Sequence, residues 1–273
     1  MALTVQTNNA AMTALKHLNT NSLNMNKSLE RLSSGFRVNN ASDDASGFAV
    51  SSKLDAQAGR LKAASQNAVQ ATAMVKMADA GINEIQNMVS RIQTLATQAA
   101  SANNAGELGK LDGEVTKLET QIDKIAASTN YNGVQLLDGT AGTTAIQVGA
   151  DNTTNNQVTV DLGKAYTTTG MSLGGSVSTQ SLAQAHITTA KTAMDTLITN
   201  RADLGATQNQ LGFVQANLAT SVEQTVAAVS SIRDADMAAE MANFTKNQIL
   251  TQAGTSMLAQ ANQAAQNVLS LFR

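Results

Sequence analysis

The sequence predicts a mainly α-helical protein, an elongated antiparallel helical bundle or coiled coil with a small β-hairpin region and paired N- and C-termini. Apolar residues recur at heptad spacing over long stretches, as in coiled coils. None of the 273 residues is proline, so no helix has to kink for that reason. A central segment rich in Thr, Ser, Asn and Gly interrupts the helical pattern and alternates apolar with polar residues, which favours strands.

The bulk composition narrows the classes of function. The chain has no cysteine, which excludes a disulfide framework, a thiol nucleophile and a thiolate metal site. A net charge of -2 without a basic cluster gives no reason to expect a nucleic-acid partner. The N-terminus lacks the basic start and apolar run of a cleavable signal peptide, and no stretch approaches membrane-spanning length. We therefore expect no membrane insertion, and export, if it occurs, by another route.

The first long helix is predicted to begin near residue 42. Ser42 is suited to cap it, and Asp43 and Asp44 place negative charge on its first turn. Beyond this start, two apolar rows repeat every seven residues and predict a coiled-coil seam. One row is Leu54, Leu61, Ala68, Val75, Ile82, Val89 and Ala96, and the other is Ala64, Ala71, Ala78, Ile85, Ile92 and Ala99.

A second, antiparallel helix is predicted after a turn at residues 103–106. Its apolar residues alternate spacings of three and four, as on one face of a helix. They are Leu108, Leu111, Val115, Leu118, Ile122 and Ile125. Gly109 and Gly113 each cost about 1 kcal/mol relative to Ala, so packing against the rest of the bundle must support the first turns.

The centre of the chain predicts a β-hairpin, because apolar and polar residues alternate on both sides of a loop at residues 151–157. The apolar members are Ile146, Val148, Val158, Val160 and Leu162. The preceding turns, Asn132-Gly133 and Asp138-Gly139, suit backbone with positive φ. Helical spacing returns after Ser181 and predicts a third long helix. Its heptad row is Leu197, Leu204, Leu211, Leu218 and Ile232.

Each end of the chain carries one narrow apolar stripe with spacings of three and four. The N-terminal stripe is Ala11, Leu15, Leu18, Ser22, Met25, Leu29 and Leu32. The C-terminal stripe is Leu250, Gly254, Met257, Ala261, Ala264, Val268 and Leu271. A single stripe on an otherwise polar helix buries little surface alone, so we expect these helices to dock on partners.

Several motifs occur together in one order along the chain. The first group is Leu29–Gly35, Arg37–Asn39 and Asp43–Gly47, the second is Asn132–Leu137, and the third is Asp234–Asp236, Gln248–Ser256, Leu258–Asn262 and Asn267–Leu271. This arrangement closely resembles bacterial flagellin, the protein of flagellar filaments. The central segment carries no such motif and is too short for the outer domains of longer flagellins, so the resemblance implies a short form with a smooth filament surface.

The resemblance implies a domain organisation in four stretches. Residues 1–42 and 236–273 would be the two halves of an inner coiled-coil domain. Residues 43–180 would hold two helices and the hairpin of an outer helical domain, and residues 181–235 its C-terminal helix. The residues expected to carry inner coiled-coil assembly are Leu15, Leu18, Met25, Leu29, Leu32, Leu250, Met257, Leu258, Val268 and Leu271.

The resemblance also implies partners and a location for the protein. The chain would assemble with itself into a helical homopolymer, leave the cell unfolded through the flagellar type III secretion channel, and work in the extracellular flagellum. An export chaperone covering the C-terminal helix, a cap protein and hook-junction proteins would be further partners. Arg91, Leu95 and Glu114 are similar to the flagellin patch read by a host Toll-like receptor, although Gln93 and Thr94 replace charged residues of that patch. Alternatively, Arg91 and Glu114 are ordinary filament contacts or local pairs.

Catalytic, metal and cofactor sites are not expected. His17 and His186 belong to no His-Glu-x-x-His motif, and Asp43 with Asp44 is better explained by helix capping than by acid/base chemistry. We therefore predict a structural protein and not an enzyme. The alternatives are a hook-filament junction protein, which shares terminal helices of this type, and a secreted coiled-coil adhesin.

Overall fold

The structure, a computed structural model, describes residues 7–104 and 106–270 and, among these, all side chains except those of Asn104 and residues 265–270. Its α-helices are α1 (Asn9–Ser34), α2 (Ala45–Ala99), α3 (Leu108–Ser128), α4 (Gln180–Arg233) and α5 (Met237–Ser270). Its strands are β1 (Asn130–Tyr131), β2 (Val134–Gln135), β3 (Gly142–Gln147) and β4 (Gln157–Leu162). Short 3-10 helices lie at Ala102–Asn104 and Thr154–Asn156. The prediction of a mainly α-helical fold with a small β region is confirmed.

The chain forms two compact units. The terminal unit contains residues 1–56 and 224–273, and the central unit contains residues 57–223. Both divisions therefore fall inside the long helices α2 and α4. The predicted divisions follow residues 42 and 235, where helical patterns stop or start. An uninterrupted heptad pattern gives no sign of where one compact unit ends, because the spacing of its apolar residues continues unchanged.

The core of the central unit is built on the two heptad rows of α2. Every member of both rows from Leu61 to Ala99 is buried. They join the apolar faces of α3 and α4 in one cluster, which includes Val115, Ile122, Leu197, Leu204 and Leu211. Alanine fills many of the row positions, and its small side chain lets neighbouring helices approach closely. This packing explains how a chain with so few aromatic residues still excludes water from a core.

The predicted hairpin is formed by β3 and β4, which pair antiparallel with Gly142 opposite Leu162 and Gln147 opposite Gln157. A second, smaller hairpin is an addition to the prediction. Strands β1 and β2 flank a two-residue turn whose residues, Asn132 and Gly133, have φ of 51° and 81°. Two consecutive residues with positive φ define the tight hairpin turn that Asn-Gly favours.

The N-cap of α2 corrects the sequence analysis. The helix begins at Ala45, and the amide of Gly47 donates to Asp44 Oδ1 at 2.9 Å. Asp44 is therefore the capping residue, whereas Ser42 lies outside the helix and is exposed. Asp and Ser are about equally good N-caps, so residue type alone does not distinguish Ser42 from Asp44. The structure does, because Asp44 directly precedes the first residue of the helix.

Residues 163–179, here called the strap, connect β4 to α4 and are held by carboxylates of α3. The amide and hydroxyl of Thr168 donate to Asp123 at 2.8 and 2.9 Å. The amide of Val177 donates to Asp112 Oδ1 at 2.8 Å. The two carboxylates lie eleven residues apart in sequence, which is about three helical turns and puts them on one face of α3. Sequence analysis missed this role, because the residues look like an ordinary solvated helix face.

Ionisation of Tyr166 in the strap should destabilise the central unit at alkaline pH. Burial, and then the negative charge of Asp161, raise the pKa of Tyr166 from 10.0 to about 12. Because the folded pKa is above the unfolded one, this contribution to stability is complete below pH 10.0 and is lost as pH rises towards 12. In a Tyr131→Phe variant, Tyr166 is the only tyrosine. Its ultraviolet phenolate absorbance should then appear only at a pH well above 10.0, and together with loss of helix. Titration near pH 10.0 with full helicity would contradict this expectation.

Threonines on exposed helix faces share one pattern of hydrogen bonding. Thr13 donates its hydroxyl to the Asn9 carbonyl oxygen at 2.8 Å, one turn back on the same helix. The same bond is made by Thr20, Thr94, Thr97, Thr116, Thr120, Thr192, Thr196, Thr199, Thr207, Thr220 and Thr245. Each of these donors is satisfied within its own helix.

Candidate assembly surface

In the terminal unit, the connection between α1 and α2 lies beside the connection between α4 and α5. Gly35 has φ of 76° and donates its amide to the Arg31 carbonyl oxygen at 2.8 Å, which ends α1 in a left-handed cap. Its own carbonyl oxygen accepts from the amide of Ala235 at 2.9 Å, at the connection between α4 and α5. The Arg37 amide donates to the Arg233 carbonyl oxygen at 2.7 Å. Main-chain hydrogen bonds thus hold the two loops together.

Helices α1 and α5 pack against each other in antiparallel orientation. At one end, the Asn8 side-chain amide donates to the Ala261 carbonyl oxygen at 2.9 Å. At the other end, the Arg31 guanidinium lies 3.7 Å from the buried Glu240 carboxylate. These contacts pair low with high residue numbers from the start of α1 to its last turn. The predicted pairing of the two ends of the chain is therefore present within a single copy.

The seam between the two helices has regular spacing and a mixed composition. On α1 the regularly spaced, less exposed positions are Ala11, Ala14, Leu18, Asn21, Met25, Ser28 and Leu32, and Ser22 and Arg31 beside them are also partly buried. On α5 they are Glu240, Phe244, Asn247, Thr251, Gly254, Leu258 and Ala261. Both series alternate spacings of three and four, as in a coiled coil. Gly254 allows close approach, because a Cβ there would lie 3.3 Å from Leu18 Cδ1. Nine of these fourteen seam positions carry polar or small side chains, so the seam buries little apolar surface.

The residues predicted for assembly divide between this seam and its flanks. Those in the seam are Leu18, Met25, Leu32 and Leu258. Those exposed beside it, here called the flank residues, are Leu15, Leu29, Leu250 and Met257. Val268 belongs to α5 but its side chain is outside the described set, and Leu271 lies outside the described residues. Every flank residue is one position from a seam residue. Leu29 and Leu250 adjoin polar seam residues, Ser28 and Thr251, so a search for apolar residues selects the flank at those two positions.

Further apolar side chains are exposed on the terminal unit. Besides the flank residues they are Met12, Leu23, Val50, Val226, Met237, Met241 and Ile249. Such a concentration on one small unit is unusual for a soluble surface and is typical of sites of protein association. Because all of these residues lie on helices, most of them on α1 and α5, the arrangement suits contact with another helical surface.

Acid should weaken the turn between α1 and α2. Lys27 Nζ lies 2.8 Å from Asp43 Oδ1, and this hydrogen bond, followed by the amide of Asn40, lowers the pKa of Asp43 below 3.8. Because the folded pKa is the lower one, the stabilisation is present above pH 3.8 and is lost as pH falls through the folded value. In a Lys27→Met variant the Asp43 pKa should rise towards 3.8, as followed by carboxyl NMR. Lys16→Met removes the same charge elsewhere on α1 and should leave that pKa unchanged.

The residues that resemble a receptor patch lie in the central unit. Arg91 and Glu114 are paired with each other across α2 and α3, with Arg91 Nη2 2.7 Å and Nε 2.9 Å from Glu114 Oε1. Both side chains are about half exposed. Leu95, in contrast, is only 1% exposed and packs in the core, so in this structure it supports α2 from within. The patch therefore offers a neutral ion pair and no exposed leucine.

The two histidines are in unlike surroundings. His17 is exposed on α1. His186 is buried, with Nδ1 3.1 Å from the Thr189 hydroxyl and Nε2 3.3 Å from Glu119 Oε1, a contact whose angles do not make it a hydrogen bond. Within the described part of the chain, no three His, Asp or Glu side chains come together as a metal site. Over the same residues, no helix has an apolar stretch long enough to span a bilayer.

Family models match both ends of the chain. Residues 5–143 match the bacterial flagellin N-terminal helical region, and residues 187–272 match the bacterial flagellin C-terminal helical region. The second match contains most of α4 and all of α5, and the first contains α1, α2 and α3. The two matches therefore include both helices of the seam.

Relatives from several bacteria match nearly the whole chain. Flagellin FlaB2 of Treponema pallidum (strain Nichols) is 38% identical over 97% of this chain and 98% of its own length. The flagellin of Bacillus subtilis (strain 168) is 36% identical, again over 97% of this chain and 98% of the relative. The crystal structure of Bacillus cereus flagellin, at 30% identity, superposes with a TM-score of 0.50 over 56% of this chain and 88% of that structure. On these grounds the chain belongs to the bacterial flagellin family.

Proposed function

We propose that this chain is a structural subunit that self-assembles into the bacterial flagellar filament and thereby serves swimming motility. The observation that carries the proposal is the exposed apolar surface of the terminal unit, where the flank residues lie beside a seam that is partly polar. The seam is already covered within one subunit, so it has little further apolar surface to bury on assembly. The flank residues, in contrast, lose contact with water only when another molecule covers them.

The energetics favour a polymer with many modest contacts. Each large apolar side chain that becomes fully buried contributes about 1.5 to 3 kcal/mol before ordering costs are subtracted. Four flank residues per copy would each add such a contribution, and in an array where every subunit touches several others these contributions would sum against the ordering costs. A head-to-tail contact that does not close on itself generates a helical polymer rather than a ring.

The same proposal includes a route and further partners. The subunit would be exported unfolded through the flagellar type III secretion channel and would work outside the cell. An export chaperone would cover the C-terminal helix, a cap protein would guide incorporation, and hook-junction proteins would adjoin the first subunits. The absence of proline and cysteine supports rapid refolding after export, because neither prolyl isomerisation nor disulfide exchange can delay it.

Recognition of Arg91, Leu95 and Glu114 by a host Toll-like receptor is a weaker part of the proposal. A receptor would have to open the Arg91–Glu114 ion pair, whose Nη2–Oε1 distance is 2.7 Å, and would not reach the buried Leu95 without rearrangement. A receptor reporter assay that compares the unmodified protein with Arg91→Ala tests this interaction. Equal responses from both proteins would remove Arg91 from the proposal.

Seeded polymerisation tests the central proposal. Purified protein is added to short filament fragments of the same chain, and filament length is followed by electron microscopy. A filament subunit should extend the fragments into long polymers. A hook-filament junction protein should add only a short segment at the fragment end, and a coiled-coil adhesin should add nothing. Either of the last two results would overturn the proposed function in favour of the alternative named.

A further inference from the structure

Methionine is the side chain of this protein most open to mild oxidation. The chain contains 11 methionines and neither cysteine nor tryptophan. Thiols, where present, intercept peroxides first, and without them the thioether sulfur is the softest nucleophile available. Any two-electron oxidant of the peroxide class that meets this protein will therefore react with methionine before other side chains.

The methionines differ in exposure between the two units. In the terminal unit, Met12, Met237, Met241 and Met257 are 63%, 46%, 52% and 64% exposed. In the central unit, the methionines Met74, Met88, Met171 and Met194 are half-buried against the core, and Met77 is 42% exposed. Oxidation of the free subunit should accordingly begin on the terminal helices, with Met77 as an exposed position elsewhere.

We propose that Met12, Met237, Met241 and Met257 form an oxidation site, at which sulfoxide formation by a peroxide-class oxidant stops the free subunit from joining a filament. The inference rests on the proposed function, since it needs the terminal unit to be the surface that other copies cover. Each of these thioethers lies on a helix of the seam and belongs to the exposed apolar set. The modification therefore acts on the surface to which the assembly contacts are assigned.

The chemistry balances at each sulfur. The thioether lone pair attacks the hydroxyl oxygen of the peroxide, a sulfur–oxygen bond forms as the oxygen–oxygen bond breaks, and the proton of that hydroxyl passes through solvent to the departing oxygen. The sulfur is oxidised by two electrons, and the peroxide is reduced to water or to an alcohol. The product is methionine sulfoxide, which is polar and chiral where the thioether was apolar and flexible.

The sulfoxide opposes assembly because its oxygen is a strong hydrogen-bond acceptor. Burying such a group without a donor is costly, and the neighbouring exposed side chains on α1 and α5 include the apolar Leu15 and Leu250, which offer none. Met12 lies three residues before Leu15, and Met257 lies seven residues after Leu250, so in each case the two side chains share one side of a helix. Oxidation thus replaces apolar contacts with unpaired polar ones.

Assembly should in turn protect the same sulfurs. In a filament that covers the terminal helices, peroxide reaches Met12, Met237, Met241 and Met257 more slowly than in the free subunit. Peptide mapping of oxidised subunit and oxidised filament by mass spectrometry measures this difference at each methionine. Equal rates in both states at all four positions would contradict the inference.

The deciding experiment is seeded elongation after treatment with hydrogen peroxide. Three proteins are compared: the unmodified chain, a variant with leucine at Met12, Met237, Met241 and Met257, and the single variant Met77→Leu as matched control. We expect peroxide to slow elongation of the unmodified chain and of Met77→Leu by about tenfold or more, and the four-leucine variant to elongate as before treatment. Treatment with methionine sulfoxide reductases and a thiol should restore the slowed proteins.

The outcomes separate the inference from the proposed function. If the four-leucine variant loses elongation to peroxide as fully as the unmodified chain, the inference is overturned and the proposed function stands. If untreated protein does not elongate at all, the proposed function fails, and the inference fails with it. Should the four-leucine variant itself not elongate before treatment, the mapping of subunit against filament on the unmodified chain decides.

Discussion

A variant that carries Leu15→Ser, Leu29→Ser, Leu250→Ser and Met257→Ser is expected to keep its terminal helix pair and to lose filament growth. The four side chains lie outside the seam, so their replacement leaves the contacts between α1 and α5 in place. Loss of about 1 kcal/mol of apolar burial at each site should raise the subunit concentration needed for elongation by about a thousandfold. Seeded elongation measures that concentration, and circular dichroism reports whether helix is retained.

The matched control preserves apolar character at the same positions. Leu15→Met, Leu29→Met, Leu250→Met and Met257→Leu change shape but keep the surface apolar, and this variant should elongate nearly as well as the unmodified chain. If the serine variant grows filaments at ordinary concentrations, the flank residues do not carry assembly. If the conservative variant fails as severely as the serine variant, shape rather than burial is responsible.

The second large effect is expected in the central unit, where Asp123→Ala should destabilise by about 2 to 4 kcal/mol. The substitution leaves the amide and hydroxyl of Thr168 without the acceptor that they contact at 2.8 and 2.9 Å, and Thr168 is buried. Urea unfolding gives the change in free energy, and hydrogen exchange at the Thr168 amide shows whether the strap opens locally. Lys124→Ala, the next residue and exposed, should change stability little.

A partner substitution sharpens this test. Thr168→Val removes the hydroxyl and keeps the shape, so the double variant with Asp123→Ala should lose less than the sum of the two single losses. Additive losses would mean that the two residues act independently and that the hydrogen bonds do not hold the strap.

Heptad patterns predicted the helices well because every buried residue of α2 within the central unit is apolar. The rows of α2 from Leu61 to Ala99 are buried as their spacing requires, and the β3–β4 hairpin follows its alternation. In the terminal unit the predicted stripes pass through the seam at Ala11, Leu18, Met25, Leu32, Gly254 and Ala261, and lie one position from it at Leu15, Leu29, Leu250 and Met257. The apolar pattern there follows exposed flank positions as well as the contact between α1 and α5.

Polar contacts at a distance were beyond the reach of the sequence. Nothing in the spacing of Asp112 and Asp123 tells which segment they hold, since their partners in the strap, Val177 and Thr168, lie 65 and 45 residues further on. Similarly, Arg201 donates from α4 to Asp79, Asn83 and Gln86 on α2, a fork that fixes the register of two long helices. Its partners share one face of α2, but only the fold brings Arg201 to them.

The threonine hydroxyls that donate to their own helices lower the cost of removing water from these helix faces. A hydroxyl left without an acceptor is costly to remove from solvent, but Thr13, Thr20 and Thr245 have already committed their protons to carbonyl oxygens of the preceding turn. Covering such a face therefore leaves these threonine hydroxyls hydrogen-bonded and requires no acceptor for them on the neighbouring molecule. A filament subunit can thus bury its threonines at a lower desolvation cost than the same number of unpaired hydroxyls would impose.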